Sequence, residues 1–185
     1  LSEEKVIEVL GELQSQTERI SCFAGTMKNI NRLDEIIISR AYVSQADLLA
    51  KTEAILTVLA QKYAKQFEVH SELKEQQLNL DISIFLEVLE NLIDNAMRFS
   101  VQCVRVEFRY SQSLLNVCVH DDGKGFQPDE LSKAVKPYYH GESVGTEHYG
   151  MGLYICKMLC EKHGGFLRVY NSPGGGACVE FNIAA

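Results

Sequence analysis

The sequence predicts an α/β fold: an α/β sandwich with a mixed sheet packed on helices, preceded by one long helix. Three observations carry that expectation. Apolar residues alternate over 104–110 (VRVEFRY) and 115–121 (LNVCVHD), and shorter runs at 166–170 and 178–183 follow; alternation of this kind marks strands with one buried face. Helix-period stretches fall between hairpins of strands instead of at evenly spaced crossovers, which favours a mixed sheet. An opening segment steps its apolar positions by threes and fours, as a helix does when it packs on other helices.

Taken in order, residues 2–32 read as that opening helix. Val6, Val9, Leu13, Gln16, Ile20, Phe23, Met27 and Ile30 form its seam, and only Gln16 is polar. Gly11 and Gly25 each weaken a helix by about 1 kcal/mol relative to alanine, so it depends on partner helices. Residues 36–38 and 41–43 suggest a short strand, and 45–66 a helix with Leu48, Leu49, Ile55, Leu56, Leu59 and Tyr63 on its apolar side. Residues 67–73 (FEVHSEL) and 77–80 look like a hairpin. The central helix is 81–99, with Phe85, Leu89, Leu92, Ile93 and Ala96 on one face and Glu87, Asn91, Asn95 and Arg98 in a polar stripe. A Ser-Gln-Ser turn joins the two long strands. A polar segment, 127–149, precedes a helix over 151–163 that Gly164 and Gly165 end. The last two strands flank Pro173 and the glycines 174–176.

Composition limits the function classes. Of 185 residues, 46% are hydrophobic and 23% charged, as in a globular domain, and the formal net charge is −7. An acidic chain without a Lys/Arg cluster predicts no nucleic-acid binding. No apolar run reaches the roughly 18 residues of a membrane span. The chain opens without an initiator Met, as a piece of a longer protein would. Cys22, Cys103, Cys118, Cys156, Cys160 and Cys178 show no metal-binding spacing in sequence and read as free thiols in a reducing cytosol.

Three local patterns carry chemistry. Asn is a poor helix former, so Asn91 and Asn95, one turn apart, need a reason: ligation of a hard cation, with Arg98 meeting the phosphates it accompanies, or tertiary hydrogen bonds. Asp121-x-Gly123-x-Gly125 directly follows a strand; its glycines let backbone approach a ligand, and Asp121 can accept from an exocyclic amine. Gly150-Met-Gly152-Leu153 opens a helix, whose first amides and positive dipole end suit phosphate. It is neither a Walker loop nor a Rossmann fingerprint. The long segment between the two glycine sites looks like a lid.

In this order, the three patterns resemble the ATP-binding domain of bacterial sensor histidine kinases and of the wider gyrase, chaperone, mismatch-repair and kinase ATPase superfamily. ENLIDNAMRF is similar to its asparagine box, DDGKGF to its first glycine box, YGMGLYICKMLCEKHGG to its second, and GGGACVEFNI to its last glycine-containing strand turn. The resemblance implies residues 1–33 as part of the second helix of a dimerisation bundle, and 34–185 as a catalytic ATP-binding domain.

It also implies roles. Asn95 would bind Mg²⁺, Asn91 and Arg98 would meet the phosphates of ATP, and Asp121 would hold adenine in a pocket shaped by Gly123 and Gly125. Gly150, Gly152 and Leu153 would lie under the triphosphate, and Tyr138, Tyr139 and His140 would form the aromatic box of the lid. Glu90 and Asn91 are the catalytic candidates. The implied partners are a response regulator and, through the bundle, a second copy of the protein. The domain would be the cytoplasmic part of a membrane-bound sensor, anchored only by segments before Leu1. His148 stands where the family often has glycine, and all five histidines (His70, His120, His140, His148, His163) follow residue 66, so the acceptor histidine is expected before Leu1. The alternatives are an ATPase or serine kinase of the same superfamily, or a non-catalytic scaffold switched by ATP.

Overall fold

The computed structural model describes residues 5, 9–11, 16–17, 35–137, 139 and 150–185. The seam of the opening helix lies mostly outside these residues; Val9 and Gln16, two of its positions, are helical and exposed. From residue 41 the order is β1 (Ala41–Ser44), α1 (Gln45–Tyr63), β2 (Gln66–Ser71), β3 (Gln77–Leu80), α2 (Ile82–Phe99), β4 (Cys103–Ser111), β5 (Leu114–Asp121), a short α3 (Pro128–Leu131), α4 (Gly152–Lys162), β6 (Phe166–Asn171) and β7 (Ala177–Ala184).

Alternation sorts the main sheet, whose strand order is β2-β4-β5-β7-β6. Its pairs are antiparallel except β2 with β4, so the sheet is mixed as expected. Val106 and Phe108, Val117 and Val119, and Phe181 and Ile183 face inward and are buried. α2 lies over β5 between α1 and α4, and the Phe85 ring meets that of Phe181 at 6.0 Å between centroids. Burying such side chains contributes about 1.5–3 kcal/mol each before entropy is counted.

Polar contacts fix where α2 begins and ends. The Asp81 carboxylate accepts from the amides of Ser83 (3.1 Å) and Ile84 (3.3 Å), an N-cap worth about 1 kcal/mol, and from that of Ser39 (2.8 Å). At the other end Lys65 Nζ donates to the carbonyls of Met97 (2.6 Å) and Ser100, which have no intrahelical donor. Lys62 Nζ and the Tyr63 hydroxyl both donate to Asp94, at 3.0 and 2.9 Å, and so tie the end of α1 to α2.

Several expectations need correction. The hairpin of 67–73 with 77–80 does not form. Phe67 lies opposite Val104 in a parallel pair, whereas Leu80 lies opposite Ala41 in a separate two-stranded antiparallel sheet. The link 72–76 (ELKEQ) has no Gly, Asn, Asp or Pro to make a tight turn. Residues 36–38 are not strand; Ile36 and Ile38 pack on the core while β1 extends only as far as its four-residue partner β3. α1 stops at Tyr63, not at 66, because Ala64 turns left-handed (φ 52°) and its amide caps the helix. The β4–β5 hairpin matches the reading, with Gln112 and Ser113 both at positive φ (53° and 59°), as a two-residue turn requires. Among the described residues no helix is long and apolar enough to cross a membrane.

Candidate functional site

The polar stripe of α2 and the start of α4 meet. Glu87 and Glu90 are exposed, whereas Asn91, Asn95 and Arg98 are half-buried. Asn91 Nδ2 donates to the Glu87 carbonyl (2.9 Å), one turn back. A Cβ built on Gly152 would lie 3.6 Å from Asn91 Oδ1 and 3.7 Å from Asn95 Nδ2, so α4 begins directly against both amides. Gly152 is the first residue of α4. The first-turn amides, those of Gly152, Leu153 and Tyr154, have no intrahelical acceptor and sit at the positive end of the helix dipole. Gly150 reaches this point at φ +64°, and a Cβ there would overlap the Tyr139 backbone, so glycine is required.

Arg98 Nη2 donates to Asn95 Oδ1, and its guanidinium stacks on Phe99, 5.0 Å from the ring centroid. Arg98 Nε is buried and has no hydrogen-bond partner among the described residues. The cation-ligating oxygen expected on Asn95 is thus engaged by Arg98, with a second lone pair remaining.

Asp121 ends β5. Its Oδ1 accepts from the amides of Gly123 (2.9 Å) and Ala177 (3.2 Å), and no described group donates to Oδ2. Burial pushes its carboxyl pKa up, against the two amides that favour the charge. A Cβ on Gly123 would overlap the Phe99 carbonyl, which locks the turn against the end of α2. Gly125, at φ +71°, leaves room for the Asn171 side chain, whose amide exchanges two 2.8 Å hydrogen bonds with the backbone of Phe126. Gly176 packs against the Asp121 carbonyl and so brings the β6–β7 turn to the same place.

Two supporting residues escaped the sequence reading. Asp122 points away from Asp121 and accepts from the amides of Val101 (2.7 Å), Gln102 (3.0 Å) and Cys103 (3.1 Å). Burial opposes its charge, yet the amides hold its carboxyl below the usual range. Asn171 pins the glycine turn to the end of β6. Neither position carries a local signal, because each partner set lies at least 19 positions away. Tyr138, His140 and the lid 141–149, including His148, lie outside the described residues.

Residues 80–185 match the family described as Histidine kinase-, DNA gyrase B-, and HSP90-like ATPase, and the chain belongs to it. Its relatives are sensor kinases. Sensor protein KdpD of Clostridium acetobutylicum is 24% identical over 190 residues, 99% of this chain and 21% of the relative. Sensor protein SrrB of Staphylococcus aureus is 27% identical over 177 residues, 86% of this chain and 30% of the relative. The chain thus spans about a fifth to a third of the curated relatives it matches. Full-length ShkA, solved in complex with AMPPNP, superposes with a TM-score of 0.76 at 21% identity, covering 100% of this chain and 39% of ShkA. The catalytic domain of histidine kinase ThkA superposes at 0.68 with 19% identity, covering 79% of this chain and 95% of that domain. The fold is that of a histidine kinase catalytic domain.

Proposed function

We propose that this chain is the ATP-binding catalytic domain of a sensor histidine kinase, which passes the γ-phosphoryl group of ATP to a histidine on a helical-bundle segment for relay to a response regulator. The observation that carries this reading is that Asn91 and Asn95 lie directly against the first turn of α4, with Arg98 hydrogen-bonded to Asn95 beside them. A cation and polyphosphate fit that donor set: two amide oxygens, a guanidinium and helix N-terminal amides.

In this reading Asp121 Oδ2 accepts from the adenine amine, in a pocket that Gly123 and Gly125 shape by letting their turn pack against Phe99 and Asn171. Asn91, Arg98 and the backbone of Gly150, Gly152 and Leu153 hold the phosphates, and Tyr138 belongs to the closing lid. Asn95 ligates Mg²⁺, which supplies neutralisation of phosphate charge. Glu90, exposed beside Asn91 on α2, faces an incoming acceptor as acid or base. Catalysis of this kind is chiefly positioning and electrostatics. Residues 1–33 pair with a second copy in a dimeric bundle, and the domain works on the cytoplasmic side of a membrane-bound sensor.

Efficient ATP hydrolysis is disfavoured, because Asn91 stands where hydrolytic relatives of the superfamily carry a glutamate base, and an amide cannot take a proton from water. The test is transfer of label from γ-labelled ATP to a separately supplied helical-bundle protein bearing an acceptor histidine. Acid-labile, base-stable label on the bundle is expected. Binding of ATP without any transfer would instead favour an ATP-switched scaffold.

A further inference from the structure

The sheet face turned away from α2 is a lattice of charge with a soft centre. Alternation puts Arg105, Glu107 and Arg109 of β4 on this face with Cys118 and His120 of β5, Cys178 and Glu180 of β7, and Arg168 of β6. The charged members pair: Arg105 with Glu68 at 3.0 Å, Arg109 with Glu72 at 3.1 Å, and Arg168 with Glu180 at 2.8 Å. Between them two thiols and an imidazole converge. Cys118 and Cys178 are buried, and the side chain of His120 is 24% exposed. His120 lies opposite Cys178 and Cys118 opposite Glu180 in the β5–β7 register, while Glu107 lies opposite Cys118 in the β4–β5 register.

We propose that Cys118, His120 and Cys178 bind Zn²⁺, with the Glu107 carboxylate as the fourth ligand. The two sulfurs and a His120 ring nitrogen all lie within 4.8 Å of one another. His120 Nε2 is 3.8 Å from Cys178 Sγ and 3.9 Å from Glu107 Oε1. A tetrahedral zinc with Zn–S of about 2.3 Å and Zn–N of about 2.0–2.1 Å holds such S and N atoms roughly 3.5–3.8 Å apart, so small adjustments bring these three to one ion, and Glu107, outside the close cluster, completes the sphere by turning its carboxylate in. His120 Nδ1 lies 3.2 Å from Ser172 Oγ, a hydroxyl able to take its N–H in the tautomer that leaves the Nε2 lone pair for the metal, as partners of metal-bound histidines do. Glu180 is held by Arg168 on two nitrogens, whereas Glu107 meets Arg109 through one nitrogen, at 3.4 Å, with its other oxygen toward His120. Two thiols select a soft or borderline ion; the added imidazole and carboxylate favour Zn²⁺ over Cu⁺. Binding releases the two thiol protons to solvent.

The site would clamp β5 to β7 one residue from Asp121 and Ala177, on the opposite face of the sheet from the Asp121 carboxylate. It stands whether or not the chain binds nucleotide, and its test contains none.

The test uses the whole reduced chain, titrated with Co²⁺ and then Zn²⁺. One equivalent of Co²⁺ is expected to give thiolate-to-cobalt absorbance in the near ultraviolet and the visible bands of a tetrahedral site, both lost when Zn²⁺ displaces it. Cys118→Ser and Cys178→Ser should each weaken binding by about 100-fold or more, and Ser172→Ala by on the order of tenfold. Zn²⁺ should also slow alkylation of Cys118 and Cys178 in the unaltered protein, which does not depend on any variant folding. Three outcomes overturn the proposal: Co²⁺ bound without a thiolate band, undiminished affinity in the double cysteine variant, or no uptake by reduced protein that on aeration closes a Cys118–Cys178 disulfide.

Discussion

The Asp81 backbone N–H donates to Nε2 of His163 at 2.9 Å, across 82 positions of sequence. The bond ties the N-cap of α2 to the C-cap of α4, the two helices that carry the candidate site. With Nε2 accepting, the proton belongs on Nδ1, which is buried with no partner among the described residues.

Burial holds the His163 pKa below its ordinary value of 6.5, with Arg40 lowering it further and the Asp81 carboxylate opposing. Between the depressed folded value and about 6.5 the unfolded chain binds a proton that the folded chain refuses. This contribution is therefore full above pH 6.5 and is lost as pH falls below it. Urea unfolding at pH 7.5 and 5.5 should show a larger loss for the unaltered protein than for His163→Gln, by up to about 1.4 kcal/mol per pH unit. Parallel losses would remove His163 from the account.

Asp121→Asn should keep the fold and lose nucleotide. The remaining amide oxygen still accepts from Gly123 and Ala177, so the turn survives. The Oδ2 position becomes a donor facing a donor. A hydrogen bond to a charged group contributes about 1.5–3 kcal/mol, so ATP affinity should fall on the order of 10- to 100-fold in calorimetry. Equal affinities would move the adenine contact elsewhere.

The two glycines before α4 should respond differently to alanine. Gly150→Ala meets a left-handed backbone and the Tyr139 chain, and should cost about 1–3 kcal/mol in chemical unfolding. Gly152→Ala places its methyl in ordinary contact with Asn91 and Asn95, so stability should hold while ATP affinity drops. A Gly152→Ala chain that binds ATP normally would separate α4 from the phosphate site.

The chain by itself should bind ATP without labelling its own histidines. His163 is buried, His70 is exposed on β2, and His120 lies on the opposite face of the sheet from the Asp121 side chain. None meets the in-line approach of about 3–3.5 Å that transfer demands. Incubation with γ-labelled ATP followed by acid and base treatment checks this; acid-labile label on the isolated chain would relocate the acceptor.

The sequence by itself determined the elements and turns whose causes are local. The i, i+4 spacing of Asn91 and Asn95, the glycines after Asp121 and the glycine that starts α4 were readable because helix period and turn chemistry involve residues a few positions apart. Only the tertiary structure decided which strand meets which. FEVHSEL and QLNL both read as strand, but their pairing follows from partners at Val104 and Ala41 and from a link that cannot turn tightly. Asp122, Asn171 and the Cys118–His120–Cys178 cluster were equally hidden. Backbone conformation is biased by neighbours in the chain, whereas the partners of a polar side chain are chosen when burial of the whole core fixes the register of distant strands.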